Sequence, residues 1–353
     1  MVMHTPSRSA HVGVLASRVP GRQRGVALLS AMVIVTLVAT LSASMVWQQW
    51  RAVQVESAER VRTQASWVLS GALDWARLIL REDQRSGGVD HLGEPWAVPL
   101  AEARLSTFLA ADASNNAAED DTTPEAFLSG KVDDAASRYN LRNLLDGDRK
   151  IVPAELAVLR RLCEFAGLSP ALADGIADSW RRGSLAVQAT QLDDADALAA
   201  LGGPDGLARA PLLPATADQL TWLGLDAGTV ERLRPFVTVL PDATKVNVNT
   251  APREVIAAVV EGLDLGRAAR VVQVRQRTPL RVTEDLNAIL GASNWDFSRL
   301  AVTSDYFEVR GRLRYEDNVI EQRHLVQRSG GDVLVRNQSR FSGLDLSGGA
   351  PPR

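Results

Sequence analysis

The 353-residue sequence contains a single cysteine, Cys163, so no disulfide can form within the chain, and a location outside the cytoplasm must be sustained by packing alone. Histidine is nearly as scarce: His4 and His11 precede the first apolar run, and His91 with His324 cannot build a His/Cys metal cluster by themselves. There is no glycine-rich phosphate loop with lysine, no zinc-protease histidine pair and no nucleophile motif, so nothing points to an enzyme. Proline is missing between Pro20 and Pro95, and from Val26 to Arg85 the sole glycine is Gly71. Charge is missing from Val26 to Trp50, and no other stretch of the chain is apolar for so long.

That uncharged run is long enough as a helix to cross about 30 Å of hydrocarbon at about 1.5 Å per residue. It follows Arg8, Arg18, Arg22 and Arg24 with no acid among them, the asymmetry expected on the cytoplasmic side of a membrane helix. A buried core helix would not need the basic flank, and a cleavable secretory signal, with Leu41-Ser42-Ala43 as its site, would have a shorter apolar run. Gly25 stands at the boundary between the basic and apolar segments. The arrangement resembles the class III leader of type IV pilins and pseudopilins, with Gly25 as the last leader residue and Val26 as the new N-terminus. In those families the fifth mature residue is usually Glu, whereas here it is Ser30. The member that lacks this Glu is the minor pseudopilin K subunit of type II secretion (general secretion pathway protein K), and the chain is similar to that family along nearly its whole length.

Without proline or an interrupting glycine pair, one helix is predicted to continue to Ser86-Gly87-Gly88, roughly 80 Å in all. Past Arg51 it becomes amphipathic: Val61, Ala65, Val68, Ala72, Trp75 and Ile79 form a core-facing stripe, widened by Leu69, Leu73, Ala76 and Leu80. Residues 112–124 read as a solvated acidic loop lacking the ligand spacing of an EF-hand. Lys131-Val-Asp-Asp134 reads as a turn leading into a short strand, and the following Arg138, Tyr139, Asn140 and Leu141 are similar to a stretch of the protein K family.

From about 150 to 300 the period is helical. Leu156, Leu159, Leu162 and Cys163 face a core until Gly167, and Thr216-Ala-Asp-Gln219 has the pattern of a capping box. A faint repeat aligns Thr216, Arg232 and Leu233 with Thr283, Arg299 and Leu300. After 300 the period is two: Val309, Gly311, Leu313 and Tyr315 alternate with Glu308, Arg310, Arg312 and Arg314. Turns at Glu316-Asp-Asn318 and Ser329-Gly-Gly-Asp332 make a three-stranded meander, and a Gly/Pro/Ser-rich tail follows. The expected fold class is α+β: a pilin-like head, with a long N-terminal helix packed on a small antiparallel sheet, carrying a large all-α insertion with helix-hairpin-helix or SAM-like modules. The expected divisions are a leader at 1–25, the N-terminal helix at 26–86, the first part of the head at 87–149, the insertion at 150–300, the closing meander at 301–340 and a flexible tail at 341–353. Within the helix, 26–47 is the membrane part, ending at Val26 and Trp47, and 51–86 the amphipathic part.

Lys245-Val-Asn-Val-Asn-Thr-Ala-Pro252 resembles the opening of a helix-hairpin-helix DNA-binding unit, with Thr250 and Asp264 as helix caps. Asp264, however, would set a carboxylate where a phosphate must lie. Without residues 1–25 the chain has 35 basic and 42 acidic residues, which also argues against nucleic acid as a partner. The same string resembles the helical insert of protein K. Calcium is associated with that family, but Arg181 and Arg182 follow Trp180 where its acids are expected, which leaves Asp193, Asp194 and Asp196 as substitute candidates. No cofactor is required.

The resemblance implies a minor pseudopilin at the tip of the type II secretion pseudopilus, supporting its assembly and the export of folded proteins across the outer membrane. It implies cleavage after Gly25 by the prepilin peptidase and N-methylation of Val26. The implied partners are the minor pseudopilins I, J and H, the major pseudopilin and the inner-membrane secretion platform. The chain would be a single-pass inner-membrane protein with a cytoplasmic N-terminus and a periplasmic head. The alternatives are a membrane-tethered helix-hairpin-helix DNA-binding protein and a secreted protein of unknown chemistry.

Overall fold

The computed structural model describes residues 24–105, 126–291, 294–315 and 318–344. The expected leader up to residue 23, the acidic loop at 112–124, the turn residues 316 and 317 and the tail beyond 344 lie outside the described residues. Two compact units divide the chain between Gln64 and Ala65. The first contains most of the apolar part of helix α1, Arg24–Ser86, whose side chains from Val26 to Ser57 are all exposed. Among the described residues this is the one helix long and apolar enough to cross a membrane. It stops at Gly87, whose φ of 66° only glycine adopts freely.

In the second unit the sheet has the order β1-β2-β7-β8-β9 and every pairing is antiparallel. Its first two strands are β1 (Leu100–Arg104) and β2 (Ala126–Asp134). A helical block then intervenes before β7 (Tyr306–Tyr315), β8 (Asn318–Ser329) and β9 (Asp332–Leu344) complete it. Gly330 and Gly331, at φ 61° and 88°, make the tight two-residue turn between β8 and β9. The period-two expectation holds: Phe307, Val309 and Leu313 are buried on the face toward α1, and Glu308, Arg310 and Arg312 lie on the other. Gly311 belongs to the inner face, where a Cβ would stand 2.9 Å from Leu69 Cδ2, so a side chain there would force Leu69 to shift.

Two expectations for the sheet and α1 need correction. Lys131 to Asp134 is the end of strand β2, not a turn: Asp133 faces outward and pairs with Lys131 at 2.8 Å, while Asp134 is buried. The α1 stripe is also rotated, with Ala65, Leu69, Leu73, Ala76 and Leu80 buried and Trp75 exposed. Apolar residues surround this part of α1 on more than one side, so their spacing alone does not choose the face that meets the sheet. The side chain of Val61 is outside the described residues.

The helical block has its own core, separate from the two clusters under α1. It runs from β3 (Tyr139–Asn140) through α2 (Pro153–Phe165) and α3 (Leu172–Gln191). The short helices α4 (Ala195–Ala200), α5 (Pro204–Ala208) and α6 (Ala227–Leu233) lead to β4 (Val237–Thr238). A second passage goes from β5 (Val246–Asn247) through α7 (Arg253–Val259), α8 (Leu265–Arg275) and α9 (Leu286–Leu290) to β6 (Leu300–Ala301). In each passage the first and last strands pair in parallel. The helix connections also match: Gly224-Leu225-Asp226 and Gly262-Leu263-Asp264 both place a left-handed glycine, a buried leucine and an aspartate that caps the next helix. The expected box at Thr216 is a 3-10 turn, Ala217–Leu223, in which Thr216 makes no side-chain cap and Gln219 accepts from the Ala215 amide. Cys163 is buried in this core, and burial pushes its thiol up to about 11.

Candidate functional site

On α1 beyond Gln64, the face opposite the buried stripe holds Trp67, Trp75 and Leu78, which are 75, 57 and 50 % exposed. At about 100° per residue these three fall within a sector of ~80°, and Gly71 lies inside it with open space where a Cβ would stand. Two tryptophans held in water on one face of a helix are a contact surface in want of a partner. Earlier in α1, Ser30 Oγ donates to the Ala27 carbonyl at 2.9 Å. Thr36, Thr40 and Ser44 likewise donate to carbonyls three or four residues back. These four hydroxyls are satisfied within the helix, which suits an apolar surrounding. Gly25 and Val26 are in the first turn of α1, and Trp47 lies within the helix rather than at an end of it.

A second feature joins sheet and helical block. The Asp134 carboxylate, fully buried at the end of β2, accepts four hydrogen bonds. They come from the Ala136 amide at 2.8 Å, Ser304 Oγ at 2.6 Å, Asn247 Nδ2 at 2.9 Å and Thr250 Oγ1 at 2.6 Å. Among the described residues no cation pairs with it, and burial raises its pKa despite these donors. The Asn-Val-Asn-Thr string therefore has an internal task. Asn249 exchanges two bonds with the main chain of Leu280, both at 2.9 Å, and the buried Arg275 donates to the Val248 carbonyl. Thr250 does not cap α7, whose N-cap is Pro252, whereas Asp264 does cap α8 by accepting from the Arg267 amide at 2.9 Å. The side chains that make the string look like a nucleic-acid motif are turned inward.

A third cluster locks the end of α1. Arg328 on β8 is almost wholly buried, bonds to Asp83 and Asp90 (2.5 Å to the latter), and lies 4.4 Å over the Phe307 ring. Glu94 accepts from the His91 amide at 2.9 Å and Trp96 Nε1 at 2.7 Å. Burial raises the pKa of both Asp90 and Glu94, with Arg328 opposing the shift at Asp90. Carboxylate oxygens of Asp83, Asp90 and Glu94 lie within 4.8 Å of one another, and among the described residues no other such group of three forms. Its cation is the guanidinium. Asp193, Asp194 and Asp196 are not gathered in this way: Asp194 caps α4 through the Asp196 and Ala197 amides at 2.9 and 3.0 Å and takes Gln188 Nε2 at 2.6 Å. No spacing rule could have found the Asp134 and Arg328 clusters, because their members come from segments far apart in the chain.

With this arrangement in hand, comparison with known proteins is decisive. The type II secretion system protein K of Pseudomonas aeruginosa is 30 % identical over 350 residues, covering 93 % of this chain and 95 % of the relative. The chain belongs to the type II secretion system protein K family. Profiles described as type II secretion system (T2SS), protein K match residues 137–242 and 246–310. The protein K of Klebsiella pneumoniae is 27 % identical over 335 residues, covering 88 % of this chain and 94 % of the relative. The fold is similar to a chain in the crystal structure of the GspK-GspI-GspJ complex from enterotoxigenic Escherichia coli, with a TM-score of 0.55 at 18 % identity over 80 % of this chain and 98 % of that one. The family's role is that of a minor pseudopilin in type II protein secretion, and α1 is compatible with its membrane anchor.

Proposed function

We propose that this protein K works at the tip of the pseudopilus as a non-catalytic assembly subunit, its apolar helix in the inner membrane and its head in the periplasm. The observation that carries this reading is the exposed Trp67, Trp75 and Leu78 face, which offers a neighbouring helix a large apolar contact while the opposite face is committed to the sheet. The minor pseudopilins I and J are its partners there, as for the relative whose complex with them is solved. Pseudopilin H, the major pseudopilin and the secretion platform complete the assembly. The prepilin peptidase removes residues 1–25 by cutting after Gly25, and Val26 becomes the methylated N-terminus.

Ser30 suits the last position of such a filament. In other subunits a carboxylate at this place can pair with a neighbour's N-terminal amine, and one left unpaired in the membrane costs about 2.5–3.5 kcal/mol. The matched strand pairs and Gly-Leu-Asp connections of the two helical passages support reading them as related helix-hairpin-helix or SAM-like modules that serve assembly.

Intact-mass and N-terminal analysis after co-expression with a prepilin peptidase tests the processing: an N-methylated Val26 is expected, and an uncut chain refutes it. Capture of subunits I and J by the full chain in detergent tests the assembly face. Trp67→Ala with Trp75→Ala should weaken capture at least tenfold, and unchanged capture would remove the face from the assembly.

A further inference from the structure

The uncharged run of α1 closes on two tryptophans and a cation. Trp47 and Trp50 are each 59 % exposed, and the Arg51 guanidinium stacks over the Trp47 ring at 4.9 Å. At about 100° per residue the three side chains share a sector of ~100° on one side of the helix. Tryptophan suits the boundary between hydrocarbon and water, where its apolar body and its N–H meet different surroundings.

Arg51 has no counter-charge on its own helix. The residues three and four positions away from it are Trp47, Gln48, Gln54 and Val55, none of them a carboxylate. The first acids that follow are taken: Glu56 pairs with Arg60 at 2.7 Å and Glu59 with Arg62 at 3.1 Å. A guanidinium cannot shed its proton, and stacking on a ring leaves its N–H donors still to be satisfied. The acceptor that matches both its charge and its planar fork is a carboxylate or a phosphate.

Height along the helix selects between them. From Val26 to Trp47 the helix rises ~32 Å at about 1.5 Å per residue, close to the ~30 Å of hydrocarbon in a bilayer, and Arg51 is ~6 Å further on. The headgroups add roughly 5–7 Å on each side, so Arg51 stands at their depth, where phosphate is the abundant anion. Helix side chains lean toward the N-terminus, which turns Arg51 back toward the bilayer, and its stacking on Trp47, one turn earlier, has that direction. Glu56, ~14 Å beyond Trp47, is already past the headgroups.

We infer that Arg51 binds phosphate groups of the phospholipid leaflet on the C-terminal side of the span, with Trp47 and Trp50 at the hydrocarbon edge, and that this contact fixes the depth of α1. The inference rests on the membrane-anchor reading above and adds the lipid group that holds the anchor. The test reconstitutes the full chain, at low protein density, in vesicles of phosphatidylethanolamine and phosphatidylglycerol. Spin labels at Met45→Cys or Val55→Cys report depth through exposure to oxygen and to a water-soluble nickel chelate, while Cys163 is buried and stays unlabelled. The label at position 45 should read as hydrocarbon and the label at position 55 as water. Two changes should each displace the label at position 45 by at least ~3 Å, about two residues of helix: Arg51→Glu, and transfer of the unaltered Arg51 chain to vesicles of a phosphate-free digalactosyl lipid. Arg51→Lys, which keeps the charge, should not. An unchanged depth under either change overturns the phosphate contact and leaves the anchor standing. A response to Arg51→Glu that occurs only with subunits I and J present assigns the counter-charge to a protein carboxylate and overturns the lipid contact. A chain that does not float with the vesicles, or that reads as water at both labels, overturns the anchor and the contact together.

Discussion

Replacing Arg328 by Met should be among the most damaging single changes outside the hydrophobic cores, and its effect should depend on pH in a definite direction. The guanidinium bonds to Asp83 near the end of α1 and to Asp90 in the segment that follows, and both carboxylates are largely removed from water. Met can fill the space over Phe307 but leaves the two acids uncompensated, and breaking a buried pair in this way costs about 3–5 kcal/mol. At about 2 °C per kcal/mol for a unit of this size, the melting temperature should fall by ~6–10 °C. The folded pKa of Asp90 is already raised with the arginine present, so removing the cation raises it again. A carboxyl with a raised folded pKa stabilises the fold below its unfolded pKa and loses that contribution as pH rises through the folded one. The loss in Arg328→Met is therefore largest near neutral pH and narrows in acid, where Asp90 takes up a proton. Thermal unfolding of the full chain in detergent, at about pH 7.5 and about pH 4, measures this difference. Adding Asp83→Asn and Asp90→Asn to Arg328→Met should recover most of the stability at neutral pH. A deficit below ~1 kcal/mol, or one equal at both pH values, would refute the assignment of Arg328 as the buried counter-charge.

At the sheet–block junction, Asp134→Asn should cost roughly 1–3 kcal/mol, since its amide nitrogen must face donors that Asp134 now accepts. Because burial raises the Asp134 pKa, wild type gains most from this residue in acid, so denaturant titrations should show the deficit of Asp134→Asn shrinking as pH rises. Gly311→Ala should lower stability by about 1–3 kcal/mol through its clash with Leu69, and pairing it with Leu69→Val should return part of the loss. Duplex DNA should not be retained by the full chain at physiological salt, and salt-dependent binding lost on changing Asn247 or Thr250 would contradict their internal role.

Much of this architecture is legible from local pattern. The uncharged run from Val26, the absence of proline as far as Pro95 and the glycine pair at Gly87 define α1, because helix continuity depends on nearby backbone chemistry. Alternation from Glu308 to Tyr315 and the Gly330-Gly331 turn define the closing strands for the same reason. Which side of α1 meets the sheet was not legible. Trp75 and Leu73 are both apolar, and the buried one is settled by the nearness of Phe307 and Val309, residues more than two hundred positions away. Nor could a pair of aspartates at Asp133 and Asp134 reveal that one faces water while the other receives four donors from Ala136, Asn247, Thr250 and Ser304. The sequence by itself determined the long apolar helix, the periods and the Asp264 cap, since these arise from neighbours along the chain. The tertiary structure alone decided the Asp134 and Arg328 clusters, because burial and hydrogen bonding between distant segments exist only once the sheet and the helical block have closed around them.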